Sequence, residues 1–379
     1  FCMNGLVYPN RINSPKMQEV KTCYQNIDIK VSETEVLLTN KFLFHNLQKY
    51  GLTVVYSCDG KEIARETVKL QAEPEQTEKI PLHFEKATKA GVYTVFAFVF
   101  LQKNTNFADK GFVIASGEKV FKVKTEEKPL ATGKITVARG DLNVGIHGVD
   151  FDVMFTKGAG GLVAYSKNKQ QLLGSIFPRL NFWRASTDND RGNDFARSHV
   201  KWLAAGQFAK VEALTVENTD TTAKVTCLYR LPMAEEGVQL VYTIQGDGSV
   251  NVCMTWLGGK ETVPEFGMLF CLPAQYDKVK YFGRGPDENY IDRKTGAFLG
   301  QYEYQVADNV SNYPVPQECG NRTEVYTAQV INNKKSGIVF TADGMEFSAL
   351  PFTPQEMEQA RHIYDLPQNV KTVVRCMLQ

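Results

Sequence analysis

Strand-like runs separated by turn residues fill this chain, and that pattern limits the fold more than any other feature. In its first third, "VLLTNKFLF" (36–44), "LTVVYSC" (52–58), "ETVKLQ" (66–71), "GVYTVFAFVF" (91–100) and "EKVFKVK" (118–124) follow one another. "CDGK" at 58–61 carries Asp59-Gly60, a dipeptide suited to a two-residue hairpin turn, whose central residues need positive φ. Further on come "KVTCLYRLP", "VQLVYTIQ", "SVNVCMTWL", "FGMLFCLP", "KVKYFGRG", "EVYTAQVIN", "SGIVFTADG" and "VKTVVRCML". So many strands with so little helical periodicity predict an all-β protein built from antiparallel sandwiches, not a parallel α/β sheet. Two helices are expected. One is "DFARSHVKWLAAGQF" (194–208), capped by Asp194, with Phe195, Val200, Trp202 and Leu203 on its apolar face and Gly206 at its end. The other is "PQEMEQA" (354–360), with Thr353 as cap and Glu356 placed for a capping box.

A length of 379 residues is too great for one ordinary core. The short strands at this spacing predict an immunoglobulin-like sandwich over about the first hundred residues. It lacks the Cys–Trp–Cys core of antibody domains, because the first tryptophan is Trp183. Within the polar stretch "TEEKPLATGK" (125–134), residues 127–132 read as a linker. Residues 133–379 then form a second, larger β-sandwich.

Charge and composition narrow the partners. Lys plus Arg is 43 and Asp plus Glu is 42, so no long-range field draws nucleic acid or an anionic membrane to the chain. The longest apolar run, "VYTVFAFVFL" at 92–101, falls well short of the ~20 residues that span a bilayer as a helix. The opening "FCMNGLVYPNRINSPK" lacks the charged start and apolar middle of a signal peptide. None of the eight cysteines forms a CxxC pair, so a zinc site is not expected. Cys227, Cys253 and Cys271 lie in apolar runs as reduced thiols do, which favours the cytoplasm over the periplasm. A start at Phe1 and an end in a strand-like run suggest a piece of a longer chain.

Three polar stretches could carry chemistry. "NFWRASTDND" (181–190) places Asp188 and Asp190 two residues apart, and a retaining glycosidase needs two carboxylates ~5–5.5 Å apart. Arg184 and Arg191 are near enough in sequence to pair with them, however, and a paired acid has a lowered pKa, the reverse of what a general acid needs. The stretch therefore reads as a loop fixed by ion pairs, with Arg184 as the chosen partner and Phe182 and Trp183 as apolar anchors. "YFGRGPDENYIDRKTG" (281–296) crowds Arg284, Asp287, Glu288, Asp292 and Arg293 around Pro286; the proline and the acids argue against a phosphate loop. "YPVPQECGNRTEV" (313–325) adds Glu318, Asn321 and Arg322. None of the five histidines stands at metal-ligand spacing from another, and none is read as pairing locally with a Ser or Cys in a nucleophile setting. Such a composition fits carbohydrate handling without specifying a reaction.

In this order and spacing, "NFWRASTDNDRGN", "YFGRGPDENYIDRKTG" and "PQECGNRTEV" resemble the C-terminal half of bacterial β-galactosidases of glycoside hydrolase family two. The opening "FCMNGLVYPNRINSPKMQEVKTCYQNI" resembles the family's "FCMNGLV-x-x-DRTPHPAL-x-EVK-x-x-YQ". Asn10, Ile12, Asn13, Ser14 and Ser186 depart from the usual residues. The resemblance implies a five-domain parent. In it, residues 1–126 are the second immunoglobulin-like domain, with the tail of the catalytic barrel at 1–10, and residues 133–379 are a galactose-mutarotase-like sandwich truncated at its C-terminal end. It places the catalytic glutamates upstream of Phe1, so no catalytic residue is expected in this chain. A "GVGGDDSWG"-like segment would follow Gln379. Phe1 and Asn4 match positions beside the galactose pocket, where the Phe carbonyl and Asn side chain help hold sodium in the intact enzyme. Magnesium is likewise implied only for the parent. The partners implied are a galactoside substrate, the chain's own barrel and further copies in a homo-oligomer. An alternative is a carbohydrate-binding module with a sugar groove lined by Trp183, Arg184, Asp188, Arg284 and Glu288.

Overall fold

The computed structural model describes residues 5–124 and 133–378, apart from 159, 233, 235, 236, 260 and 261. Phe1, Asn4 and the proposed linker 127–132 lie outside the described residues. The fold is all-β, as the strand pattern predicted.

The smaller sandwich pairs a three-stranded sheet with a four-stranded one. The first orders Ile27–Val31, Glu35–Asn40 and Thr77–Pro81; the second orders Lys61–Lys69, Tyr50–Cys58, Gly91–Leu101 and Val113–Val123. Side chains alternate across each sheet, so Val36 and Leu38 from one meet Leu52, Val54, Val95, Ala97 and Val99 from the other in a sealed core. The Asp59-Gly60 hairpin forms as expected, with φ of 49° and 73°. A Cβ on Gly60 would come within 2.5 Å of Gln301 Cγ in the larger sandwich, so the turn's tip sits hard against the neighbouring sheet.

The expected strand 36–44 stops at Asn40. Beyond it Leu43 and Phe44 are exposed, because Asn40 turns the chain by accepting Phe42 N–H through its side chain. Strands Ile27–Val31 and Thr77–Pro81 and the helix Lys16–Cys23 were not foreseen. That helix buries no residue, so it has no apolar stripe to read.

The larger sandwich has three antiparallel sheets. A five-stranded sheet runs from Thr136–Arg139 through Asn143–His147, Phe151–Thr156 and Gly161–Lys167 to Gln170–Gln171. It shares a core with the four-stranded sheet Lys210–Asn218, Thr222–Arg230, Gly237–Gln245 and Val250–Trp256, where Phe155 meets Tyr242 at 5.1 Å between ring centroids. The seven-stranded sheet is ordered Arg179–Asn181, Gly267–Pro273, Lys371–Met377, Gly337–Leu350, Arg322–Ile331, Lys278–Gly285 and Phe298–Gln305. All three polar stretches leave or enter this sheet, which brings residues far apart in sequence to one region.

The helix expected over 194–208 is broken. Short helices run Asp188–Gly192, Phe195–Ser198 and Val200–Ala205. Asp194 has φ 56° and caps nothing, whereas an N-cap needs extended backbone. Ser198 Oγ donates to Phe195 O at 3.0 Å, and His199, outside both helices, separates the second from the third. Trp202 is buried, but Val200 faces out. The helix Pro354–Gln359 matches expectation, with both bonds of the Thr353–Glu356 capping box present.

Candidate functional site

The first polar stretch leaves the strand Arg179–Asn181 and dives inward. Phe182 packs beside Trp202 at 5.7 Å and Phe266 at 6.1 Å between centroids. Trp183 is sealed in the core and donates Nε1–H to Glu358 at 3.2 Å, and the same carboxylate accepts Ser186 N–H at 2.6 Å. With the backbone so held, Thr187 starts a turn of helix. Its Oγ1 accepts Asp190 N–H at 3.2 Å, and Asp190 accepts Thr187 N–H at 2.9 Å and its hydroxyl at 2.8 Å. Arg184 closes on Asp190 with two bonds, one of 3.0 Å. Burial pushes the Asp190 pKa up, but Arg184 and the Thr187 donors outweigh it and bring it down to about 2. Asp188 pairs with Arg191 at 3.2 Å, and Arg191 also donates to Pro316 O at 2.8 Å. The foreseen partner, Arg184, therefore serves Asp190, and Asp188 takes Arg191.

The second stretch folds around Asn289 and Glu288. Asn289 Nδ2 donates to the carbonyls of Arg284 and Asp287 at 3.0 Å each, while its Oδ1 accepts Thr323 N–H at 3.0 Å and Thr323 Oγ1 at 2.6 Å. Glu288 accepts Gly320 N–H at 2.7 Å, Ser311 Oγ at 3.0 Å and Arg293 at 3.1 Å. The third stretch is thereby tied to the second at several points. Arg322 donates to Tyr281 Oη at 3.0 Å and to Pro286 O at 3.1 Å.

The knot centres on Arg375, an arginine inside the strand Lys371–Met377 with a side chain only 4% exposed. Arg375 donates to both oxygens of Glu318, one at 2.7 Å, and to Ser348 Oγ at 2.9 Å. Glu265 stands 3.6 Å from the same guanidinium and accepts Asn181 Nδ2 at 2.7 Å. Burial raises the Glu265 pKa to about 7; Arg375 opposes this, and the charges of Glu318 and Glu346 add to it. Asn321 Nδ2 donates to Glu346 at 3.2 Å and to Asn289 O at 3.0 Å. Tyr290 Oη reaches Glu318 at 3.3 Å. All three stretches thus converge on one desolvated network in which most of the acids have an arginine or several donors.

Residues 147–379 match the sequence family described as β-galactosidase small chain. The chain belongs to this family. Residues 36–122 match a second description, domain 4 of β-galactosidase. A β-galactosidase of Halalkalibacterium halodurans is 35% identical over 99% of this chain but 38% of its own length. A β-galactosidase of Streptococcus thermophilus is 32% identical over 100% of this chain and 37% of its own length. The β-galactosidase small subunit of Latilactobacillus sakei is 32% identical, with 87% of its length aligned to 64% of this chain. The chain therefore spans less than two fifths of the first two relatives.

In this β-galactosidase small-chain sandwich, the five residues proposed for a sugar groove do not line one groove. Trp183 has no exposed surface on which a sugar could stack, and Glu288 is 3% exposed. Arg184 and Asp188 are engaged with Asp190 and Arg191. Arg284 points away from the knot to Glu118 and Glu324. Each of the five side chains is taken up by partners within the protein: Trp183 by Glu358, Arg184 by Asp190, Asp188 by Arg191, Arg284 by Glu118 and Glu324, and Glu288 by Arg293, Ser311 and Gly320. Glu265, Glu358 and Arg375 were missed by sequence reasoning. Arg375 left one signal, a lone cation in the apolar run "VVRCML". Among the described residues, no group of three or more His, Cys, Asp or Glu could hold a metal ion.

Proposed function

We propose that this chain is the C-terminal, non-catalytic part of a β-galactosidase, an enzyme that hydrolyses terminal non-reducing β-D-galactosides. The observation that carries this reading is similarity along the whole chain to β-galactosidases nearly three times as long. The knot's chemistry supports the non-catalytic role. Double displacement needs one carboxylate free to attack and a second able to hand over a proton, both open to the sugar. Asp190 is held well below that task by Arg184, and Glu318 is clamped by Arg375. Glu265 has a pKa suited to a general acid, but nine tenths of its side chain is covered and its oxygens face Asn181 and Arg375.

The role is then to support a catalytic barrel and the edge of its sugar pocket. The segment leading away from Phe1 and Asn4 supports this, because it is fastened to the knot. Tyr8 packs edge-on against Tyr313 at 5.6 Å, and Gln18 bonds the backbone of Asp287 and Glu288. Sodium held by Phe1 and Asn4, magnesium, and assembly into a homo-oligomer belong to the intact enzyme in this reading. No step here is routed through either ion.

A nitrophenyl-galactoside assay tests the proposal. The chain alone should show no specific turnover, and the same chain carrying an upstream barrel with two glutamates should show it. Turnover by the chain alone overturns the reading. The alternative, a free-standing carbohydrate-binding module, requires heat on calorimetric titration with galactose or lactose at millimolar concentration.

A further inference from the structure

Arginines drawn out of water in this chain meet an acid or several acceptors, with one departure. Arg184, Arg191, Arg284, Arg293 and Arg375 each pair with a carboxylate. Arg322 has no acid, but it donates to Tyr281 Oη, Pro286 O and Asn321 O and lies over the rings of Tyr281 and Tyr304. Arg179 is half-buried on Arg179–Asn181, an edge strand of the seven-stranded sheet. Its guanidinium makes one bond, to the neutral Gln355 Oε1 at 3.1 Å. Burial lowers the Arg179 pKa, and Glu356 is the one carboxylate that opposes this.

Glu356 is not available as a partner. One of its oxygens accepts Lys371 Nζ at 2.7 Å, and the other accepts Thr353 N–H at 2.8 Å and the Thr353 hydroxyl at 3.1 Å. Lys371 is itself buried. Gln355 and Glu356 are consecutive on the helix Pro354–Gln359, so neighbouring residues of one helix hold two cations that flank the strand Gly267–Pro273. Two positive charges thus stand against one negative charge. A cation withdrawn from water without a counter-ion is costly, and a single amide oxygen does not replace one. Most of the guanidinium N–H donors are unspent, in a planar fork that matches two oxygens of a carboxylate or phosphate. Gln355 Nε2 also donates to nothing among the described residues.

We propose that Arg179, the Gln355 amide and Lys371 form a binding site for a small oxyanion, a phosphate or a carboxylate. The anion supplies the missing negative charge and ties the edge strand to the helix. The same helix carries Glu358, which holds Trp183 and Ser186, so occupancy braces the anchor of the first polar stretch. The site takes no part in galactoside hydrolysis and does not depend on that reading.

Calorimetric titration of the chain with inorganic phosphate at pH 7 tests this, with chloride holding the ionic strength constant and acetate titrated separately. Saturable heat with phosphate assigns a phosphate site, and saturable heat with acetate a carboxylate site. Arg179→Gln should raise the dissociation constant of the bound anion at least about tenfold. It should melt no lower than the natural chain in chloride, yet lower in saturating anion, because only the natural chain gains from binding. Gln355→Glu sets a carboxylate beside the guanidinium. It should melt above the natural chain in chloride and lose the anion signal, which gives a second reading that does not remove the arginine. Absence of saturable heat with both anions overturns the proposal. So does binding as tight as the natural chain's in either variant, which would place the anion elsewhere.

Discussion

Replacing Glu265 with glutamine should make this chain more stable at pH 8 and leave it nearly unchanged near pH 4.5. The Glu265 carboxyl is covered by Asn181 and Arg375, and its pKa is raised from 4.5 to about 7 because burial disfavours the charged form. In the unfolded chain the group returns to its ordinary value. Between those two values the folded protein keeps a proton that the unfolded chain has released. The folded state binds more protons, so stability falls as pH rises across that window and levels off above about pH 7. One pKa unit is about 1.4 kcal/mol, so a shift of this size sets a ceiling of roughly 3 kcal/mol. Arg375 stands 3.6 Å away and a tenth of the side chain is exposed, so about 1–2 kcal/mol is the realistic gain. Glutamine has no proton to lose and still offers an oxygen to Asn181 Nδ2. Arg375 keeps its two bonds to Glu318.

Urea melts of both chains from pH 4.5 to 8.5 measure this directly. The difference in stability should grow with pH and then flatten. A glutamine variant that is less stable at pH 8 would show that Glu265 is ionised and serves Arg375 as a second counter-ion. Parallel profiles would show that the group does not titrate in this range.

Two other substitutions test the knot and the fold around it. Asp190→Ala removes the carboxylate half of the Thr187 capping box and leaves Arg184 half-buried without its bonds, so it should cost about 2–3 kcal/mol in a thermal melt at pH 7. Because the Asp190 pKa is depressed to about 2, its contribution is full above the ordinary carboxylate value and lost as pH falls through about 2; the gap between the two chains should close there. Asp188→Ala should cost under about 1 kcal/mol, since its ion pair with Arg191 is more open to water; a larger loss than for Asp190→Ala would reverse the assignment. Thr353→Ala removes the hydroxyl that accepts Glu356 N–H and donates to the Glu356 carboxylate, leaves the backbone half of the capping box in place, and should cost about 1 kcal/mol, read from urea midpoints.

What could be read from the sequence follows the range of the interaction. The Asp59-Gly60 turn and the Thr353–Glu356 box are each complete within four residues, and both appear as expected. The pairing of the acids after Trp183 with nearby arginines was also legible, though which arginine took which acid was not. Thr187 decided that. Its hydroxyl and amide fix Asp190 as the third residue of a cap, which turns that carboxylate back toward Arg184. The 194–208 helix failed because Asp194 adopts a left-handed backbone and does not cap, and because the helix is interrupted at His199, which leaves Val200 exposed. Glu265 and Arg375 could not be matched from sequence, since only the pairing of Gly267–Pro273 with Lys371–Met377 brings them together. Glu118 and Arg284 lie on separate sandwiches.

The acids of this β-galactosidase small-chain sandwich show why a polar motif misleads about chemistry. A catalytic carboxylate and a structural one can occupy the same kind of string, aromatic residues beside Asp, Asn and Arg. What separates them is whether the charge meets a partner before it meets solvent. Once Phe182 and Trp183 are driven inward by their apolar area, the charges beside them are partly drawn out of water. In the first stretch the charges pair with one another, Arg184 with Asp190 and Arg191 with Asp188, and the remaining polar groups reach the other loops: Gln317 Oε1 accepts Asp188 N–H and Pro316 O accepts Arg191, while in the second stretch Glu288 accepts Gly320 N–H and Asn289 accepts Thr323 N–H. The aromatic anchors thus turn the acids into cross-links between loops. The same burial that suggested a sugar platform at Trp183 is what removes the platform and leaves a scaffold.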